Sequence, residues 1–236
     1  SQLEFEGTVV EIISADTFII QDASTQELHK VSLANIRGQR YQPILVTGND
    51  KDSKFQNNQD TRFAFGYEAK QMTRTRLIGR KVSAKIEYIR DIEFKDKRKE
   101  TREYCTVMVG KMNIAQELLI AGYATVIKND QEKCDSFDAY LMAENTALKK
   151  KKGLHGNNKK NQSSRLIDVS NRDNSSRADQ YIVFLRRKKV KAIVEKVLTG
   201  GRFKVSIPKM QLLGMFSLMD VAAPSFNRKG RNSDSS

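Results

Sequence analysis

Cysteine and histidine are nearly missing from this chain, and each shortage removes a class of function. Cys105 and Cys134 have no CxxC spacing, and His29 and His155 stand too far apart in sequence to complete a zinc set. Neither a disulfide framework nor a structural metal site is therefore expected. Cys105 lies in the apolar run YCTVMV and reads as a buried thiol, which suits a reducing cytosolic or nuclear compartment. Tryptophan is absent, and nothing follows from that. No apolar run reaches the roughly 18 residues that would span a bilayer, and no lipidation motif is present. The opening SQLEFEG has neither a basic n-region nor an apolar h-region, so a secretory signal is not expected there. Negative charge is short too. Across 236 residues, 28 Asp and Glu face 42 Lys and Arg, a net charge of +14. A polyanion is the natural partner for such a surplus, because each neutralised phosphate releases condensed counterions. No membrane partner and no small-molecule substrate is expected.

What is present begins with strand chemistry. FEGTVVEIIS is dense in β-branched residues, ADTF carries a turn, FIIQD resumes the strand, and HKVSLANI follows the polar ASTQEL. These predict consecutive antiparallel strands over 5–36. Residues 42–62 are polar and read as a surface insertion. FGYEAKQMTRTRLIG (65–79) has helical spacing with Gly79 as its stop. RKVSAKIEYI (80–89) alternates Val82, Ala84, Ile86 and Tyr88 on one face, residues 91–103 read as a charged loop, and YCTVMVG (104–110) as another strand. NIAQELLIAG (113–122) and SFDAYLMAENTALKKKKG (136–153) predict helices, the second capped by Ser136. Five strands, with helices after the third and fifth, predict a mainly β chain with α: a five-stranded OB-type barrel with three helices.

Composition changes after Gly156. The Asn- and Ser-rich stretch and the basic helix DQYIVFLRRKK predict a linker over 157–189, between a first domain at 1–156 and the N-terminal part of a second at 190–236. VVEIISADTFII resembles IVEKVLTGGRFKVSI, and VSLANI resembles FSLMDV, pairing Glu11 with Glu195 and Phe18 with Phe203 at a period of roughly 185 residues. The second copy is expected to be a partial barrel.

One stretch carries the functional question. LANIRGQR (33–40) follows the meander where carboxylates would build a cation site, yet it offers Arg37 and Arg40. The strand pair around ADTF, this IR turn, FGYEAKQMTRTRLIGRKV, NIAQELLIAGYATV and AENTALKKKKGLHG occur in that order. Together they resemble the staphylococcal nuclease family, closest to its Tudor-linked members with tandem nuclease-like domains, over about residues 5–156 and partially again over 190–225. The resemblance implies an OB-fold barrel with three helices, and proteins that bind and in some cases cleave RNA.

It also implies where a calcium-dependent phosphodiesterase site would lie. One metal aspartate falls on Ser14 and the next on Asp16, which keeps it; a further one falls on Arg37, with its neighbouring threonine on Gly38. The general-base glutamate falls on Arg40. Of two phosphate-clamping arginines, one falls on Ser32 and the other on Arg102. Two nucleotide-contacting tyrosines fall near Lys128 and Glu100. In the second copy Gly201 takes the Asp16 position, Ser217 that of Ser32, Ala222 that of Arg37 and Ser225 that of Arg40.

Calcium needs six to eight oxygens, and a guanidinium repels it. The calcium-type site is therefore expected to be broken, with no cofactor and with Asp16 and Arg102 as remnants. Nucleic-acid contact is expected from Arg37, Arg40, Arg102 and Lys128, and from Arg186, Arg187 and Lys188 before the second copy. Asp16 equally suits a plain turn role, and the loop arginines a solvated one. Phe18, Phe65 and Tyr88 fall at core-period positions, so no stacking platform is expected, and binding should be directed at the backbone of RNA duplex or flexible strand.

The leading expectation is an RNA-binding module acting in RNA silencing, RNA turnover or transcriptional co-activation. Its partners would be RNA and ribonucleoprotein or transcription complexes, in the cytoplasm and the nucleus. An active ribonuclease, working through a non-standard site or a neighbouring domain, and a protein-interaction scaffold stay open as alternatives.

Overall fold

The computed structural model describes residues 4–45, 64–93, 99–128, 134–156, 166–170 and 175–223. Most of the insertion expected at 42–62 therefore lies outside the described residues. The chain forms two compact units, Ser1–Gln42 with Asn57–Ser164, and Pro43–Gln56 with Arg165–Ser236.

The first unit opens with β1 (Glu4–Ile12), β2 (Thr17–Asp22) and β3 (Leu28–Leu33), an antiparallel meander, followed by the short β4 (Ile36–Gly38). A bulge between Val9 and Glu11 shifts the register of β1, and Val9 and Ile12 on either side of it are both buried. After β5 (Ile44–Leu45), which belongs to the second unit, come α1 (Gly66–Leu77), β6 (Lys81–Glu93), β7 (Lys99–Val109), β8 (Met112–Asn113), α2 (Ile114–Ile120), β9 (Ala124–Val126) and α3 (Phe137–Lys149). The sheet runs β3-β2-β1-β6-β7-β8, and β3 also pairs in parallel with β7 through Val31–Glu103, Ser32–Tyr104 and Leu33–Cys105. That last pairing closes five strands into an OB-type barrel and leaves no open edge between β3 and β7. Inside lie Val9, Phe18, Ile20, Val31, Leu33 and Val107, fully buried, with Leu118 and Leu119 of α2 and Tyr140 of α3 against them. Each such side chain contributes about 1.5–3 kcal/mol by leaving water.

Three local expectations need correction. The charged loop at 91–103 is shorter than its composition suggests, because β6 continues to Glu93 and β7 begins at Lys99. Cross-strand pairs such as Arg90–Arg102 and Asp91–Thr101 carry the ladder through charged sequence. Ser136 does not cap α3 with its side chain: its backbone, at φ −87° and ψ 6°, is not extended as a capping residue's usually is. Asn113 does cap α2, its side chain accepting from the Gln116 N–H at 3.2 Å. The third helix also ends at Lys149, short of Gly153, and Lys151 at φ 50° turns the chain away.

The second unit contains β10 (Ile167–Asp168), α4 (Ser175–Leu185), β11 (Ile193–Thr199), β12 (Arg202–Ile207) and β13 (Leu212–Ser217), in sheet order β11-β12-β13-β10-β5. The stretch expected as a linker thus supplies both a strand and a helix to this unit. The expected helix over 179–189 stops at Leu185, so Arg186, Arg187 and Lys188 lie beyond it, with Arg187 at φ 63°. Pairings in β11–β13 repeat those of β1–β3 at a constant spacing of 185 residues. Val194–Val205 answers Val9–Ile20, Val197–Phe203 answers Ile12–Phe18, Phe203–Phe216 answers Phe18–Val31, and the bulge recurs between Val194 and Lys196. Glu11 therefore corresponds to Lys196, not Glu195; the sequence pairing slipped by one because both copies carry a glutamate beside the bulge.

Candidate nucleic-acid interface

The turn from β1 to β2 is tied down by Asp16. Its Oδ1 accepts from the Ser14 hydroxyl at 2.7 Å, its Oδ2 accepts from the Gly38 N–H at 2.7 Å, and its carbonyl accepts from the Leu33 N–H at 2.8 Å. One side chain therefore fastens the β1–β2 turn to β4. Gly38 has no room for a side chain, since a Cβ there would stand 2.9 Å from Asp16 Cβ and Cγ. Thr17 and Ser32 hydroxyls pair at 3.1 Å beside it.

This corner floors a cavity of about 360 Å³ whose lining includes Ser14, Asp16, Ser32, Arg37, Gly38 and Arg40, with Arg90 and Arg102 from the paired strands β6 and β7. The structure thus brings Asp16, Arg37, Arg40 and Arg102 together. Among the lining residues Asp16 is the single carboxylate, against four guanidinium groups. Arg37 and Arg40 are exposed, and among the described residues no carboxylate pairs with either. Arg102 is more enclosed, with its Nε and one terminal nitrogen donating to Glu100 Oε1 at 3.2 and 2.9 Å. Glu100 also takes Lys30 at 2.8 Å. Hydrogen bonds from Lys30 and then from Arg102 hold the Glu100 carboxyl below the usual carboxylate range.

The remaining expected residues do not join this group. Lys128 is exposed just past Ile127, which lines the cavity, but is not itself in the lining. Arg186, Arg187 and Lys188 are exposed and belong to the second unit, where Lys188 Nζ sits 3.6 Å from the Phe184 ring centroid. Among the described residues no cluster of three His, Cys, Asp or Glu could hold a metal ion.

Three lining residues were not legible as site residues: Tyr88, Arg90 and Tyr104. A bulge between Ile86 and Tyr88 shifts the register and sets Tyr88 opposite Tyr104, while Ile86, Tyr88 and Tyr104 all pack against the core. The two rings stack at 4.8 Å with 18° between planes, and the Arg90 guanidinium stands 5.2 and 5.6 Å from their centroids. A stacked aromatic pair thus lines the cavity, with Arg90 beside it. A signal did exist, in the mirrored spellings Tyr88-Ile-Arg90 and Arg102-Glu-Tyr104 on adjoining strands.

Residues 44–157 match the family model described as staphylococcal nuclease homologue. The chain carries a staphylococcal nuclease-like domain. Similarity extends beyond the matched residues of that domain. The chain is 29% identical over 240 residues to staphylococcal nuclease domain-containing protein 1 of Drosophila melanogaster, covering 97% of this chain and 25% of that protein. It is 27% identical to Ribonuclease TUDOR 1 of Arabidopsis thaliana, over 93% of this chain and 25% of the relative, and 27% identical to the Schizosaccharomyces pombe staphylococcal nuclease domain-containing protein 1, over 97% and 24%. The chain thus spans about a quarter of the length of these relatives. The nuclease-like domain's Asp16–Arg37–Arg40 corner precedes the matched residues, whereas Arg90 and Arg102 fall within them.

Proposed function

We propose that the nuclease-like domain is an RNA-binding module that grips the phosphate backbone in its arginine-lined cavity and does not run calcium chemistry. The observation that carries this is the convergence of Arg37, Arg40, Arg90 and Arg102 on one cavity with a single carboxylate in its lining. RNA as the polyanion is supported by the name of a relative, Ribonuclease TUDOR 1, and by the net charge of +14. A calcium ion does not suit the donor set: both Asp16 oxygens are engaged by Ser14 and Gly38, and Arg37 and Arg40 bring positive charge to the same rim. Position 40 likewise offers a guanidinium and no base. In the whole protein such a module would serve RNA silencing, RNA turnover or transcriptional co-activation, within ribonucleoprotein or transcription complexes of the cytoplasm and nucleus.

The test is fluorescence anisotropy with labelled RNA at several salt concentrations, on this chain and on an Arg37→Glu/Arg40→Glu variant. Each lost phosphate contact lowers the slope of log affinity against log salt by about 0.7 for single strands. The double variant should bind at least about tenfold more weakly with a shallower slope; equal affinity and slope would overturn the proposal. Asp16, the lone carboxylate beside the guanidiniums, favours a second reading as an active ribonuclease. Cleavage on a gel that disappears in Asp16→Ala would establish that reading instead.

A further inference from the structure

Phosphate gripping accounts for the guanidiniums of the cavity and leaves its lone carboxylate unexplained, since Asp16 repels the anion that they attract. Its contacts give it a different task. Successive backbone groups of a strand point to opposite edges. On the β9 side of β4, the Gln39 N–H donates to the Tyr123 carbonyl at 2.9 Å and the Asn35 carbonyl accepts the Ile127 N–H at 2.8 Å. The Gly38 N–H therefore lies on the other edge, along which no strand pairs among the described residues. Asp16 Oδ2 meets it there at 2.7 Å. Gly38 is buried, so without that oxygen its N–H would lose its acceptor in a place closed to water. Among the described residues Asp16 makes no ion pair with Arg37 or Arg40, which are exposed, so the backbone beneath them sets their place.

Resting on the anion-binding reading above, we propose that Asp16 is a positioning residue: its carboxylate stands in for a neighbouring strand along the open edge of β4 and so holds Arg37 and Arg40 at the cavity. The acceptor oxygen does this, and the charge that comes with it opposes binding. Gly38 makes the same point from the other partner. Its missing side chain lets Asp16 Cβ and Cγ lie against the backbone, where a Cβ would stand 2.9 Å from both. The Ser14 hydroxyl, donating to Oδ1 at 2.7 Å, fixes the rotation of the carboxylate. A hydroxyl can equally accept, so an amide at position 16 satisfies the same two contacts, its oxygen toward Gly38 and its nitrogen toward Ser14. A metal ligand or a general base would not survive that exchange.

The experiment compares Asp16→Asn, Asp16→Ala and Gly38→Ala in the whole chain, by anisotropy with labelled RNA across salt concentrations and by amide hydrogen exchange at Gly38. Asp16→Asn should keep the Gly38 amide protected and bind RNA about two- to fivefold more tightly, because a repelling charge has gone. Asp16→Ala loses the same charge, yet it should expose the amide and bind roughly tenfold more weakly than Asp16→Asn. Gly38→Ala changes no charge and should weaken binding in the same direction as Asp16→Ala. Equal tightening in the Asn and Ala variants would overturn the positioning role and leave Asp16 a countercharge. Equal weakening in both would overturn it too, since the charge itself would then be needed. So would RNA cleavage by the unaltered protein that Asp16→Asn removes. If the unaltered protein binds RNA without a salt slope, the anion-binding reading falls and the positioning role with it, even where the Gly38 amide stays protected. Should Asp16→Ala or Gly38→Ala melt early, Asp16→Asn decides alone, and a loss of affinity there overturns the proposal.

Discussion

Glu100 sets how much of the cavity's positive charge is available. Its carboxylate holds two cations, Lys30 at 2.8 Å and Arg102 at 2.9 Å, and so stands where a phosphate would stand against Arg102. Glu100→Gln should tighten RNA binding by about two- to fivefold, the worth of one partly exposed ion pair. Because the folded carboxyl is held below its usual range by Lys30 and then Arg102, the pair is intact at and above the ordinary carboxylate pKa and is lost only as pH falls through the depressed value. The advantage of the variant should therefore persist across neutral and mildly acidic pH and vanish only in stronger acid. Anisotropy titrations across pH would show this, with Glu27→Gln, an exposed carboxylate outside the cavity lining, as the control. An equal gain in that control would reduce the effect to net charge. Arg37 and Arg40 were legible as site residues through the resemblance, which sets them where the family's metal aspartate and general base would lie. Arg102 was legible in the same way, and its engagement by Glu100 depends on two residues of one strand facing the same side, which charge composition hides.

Helices and strands were read well where their periodicity is local, as in α1 and α2, and poorly where one residue changes the register. The extra residue at the β6 bulge carries no sequence mark of its own, and yet it sets Tyr88 opposite Tyr104. The start of α1 shows a second element-level constraint. Phe65, at φ 61°, turns the chain so that Gly66 lies against the backbone of Arg40 and Tyr41, where any Cβ would meet the Arg40 carbonyl. Gly66→Ala should therefore push Arg40 away, destabilising the domain by about 1–3 kcal/mol and weakening RNA binding together. Chemical denaturation and anisotropy would test both arms; a stable variant with full affinity would mean that Arg40 does not depend on this contact.

Across the whole molecule, the same strand registers serve two different burial states. Phe18 is fully buried in the closed barrel, whereas Phe216, equivalent to Val31, is 58% exposed, and Val194 and Val197, equivalent to Val9 and Ile12, are 53% and 58% exposed. Phe18→Ala should cost about 3–5 kcal/mol and Phe216→Ala stay within about 0.5 kcal/mol, as measured by denaturant titration. Comparable losses would show that the second sheet is covered in solution. The barrel was legible from strand count and order, but the closing β3–β7 pairing was not, because a parallel contact between strands some seventy residues apart leaves no trace in local pattern.

The constant spacing also makes the molecule its own workbench. Segments of equal length, Ser14–Thr17 in one copy and Thr199–Arg202 in the other, connect strands paired at equivalent positions, so either can be transplanted into the other without lengthening or shortening the chain. One meander can then act as recipient and the other as donor, letting the contribution of a single turn be weighed in two surroundings within one polypeptide.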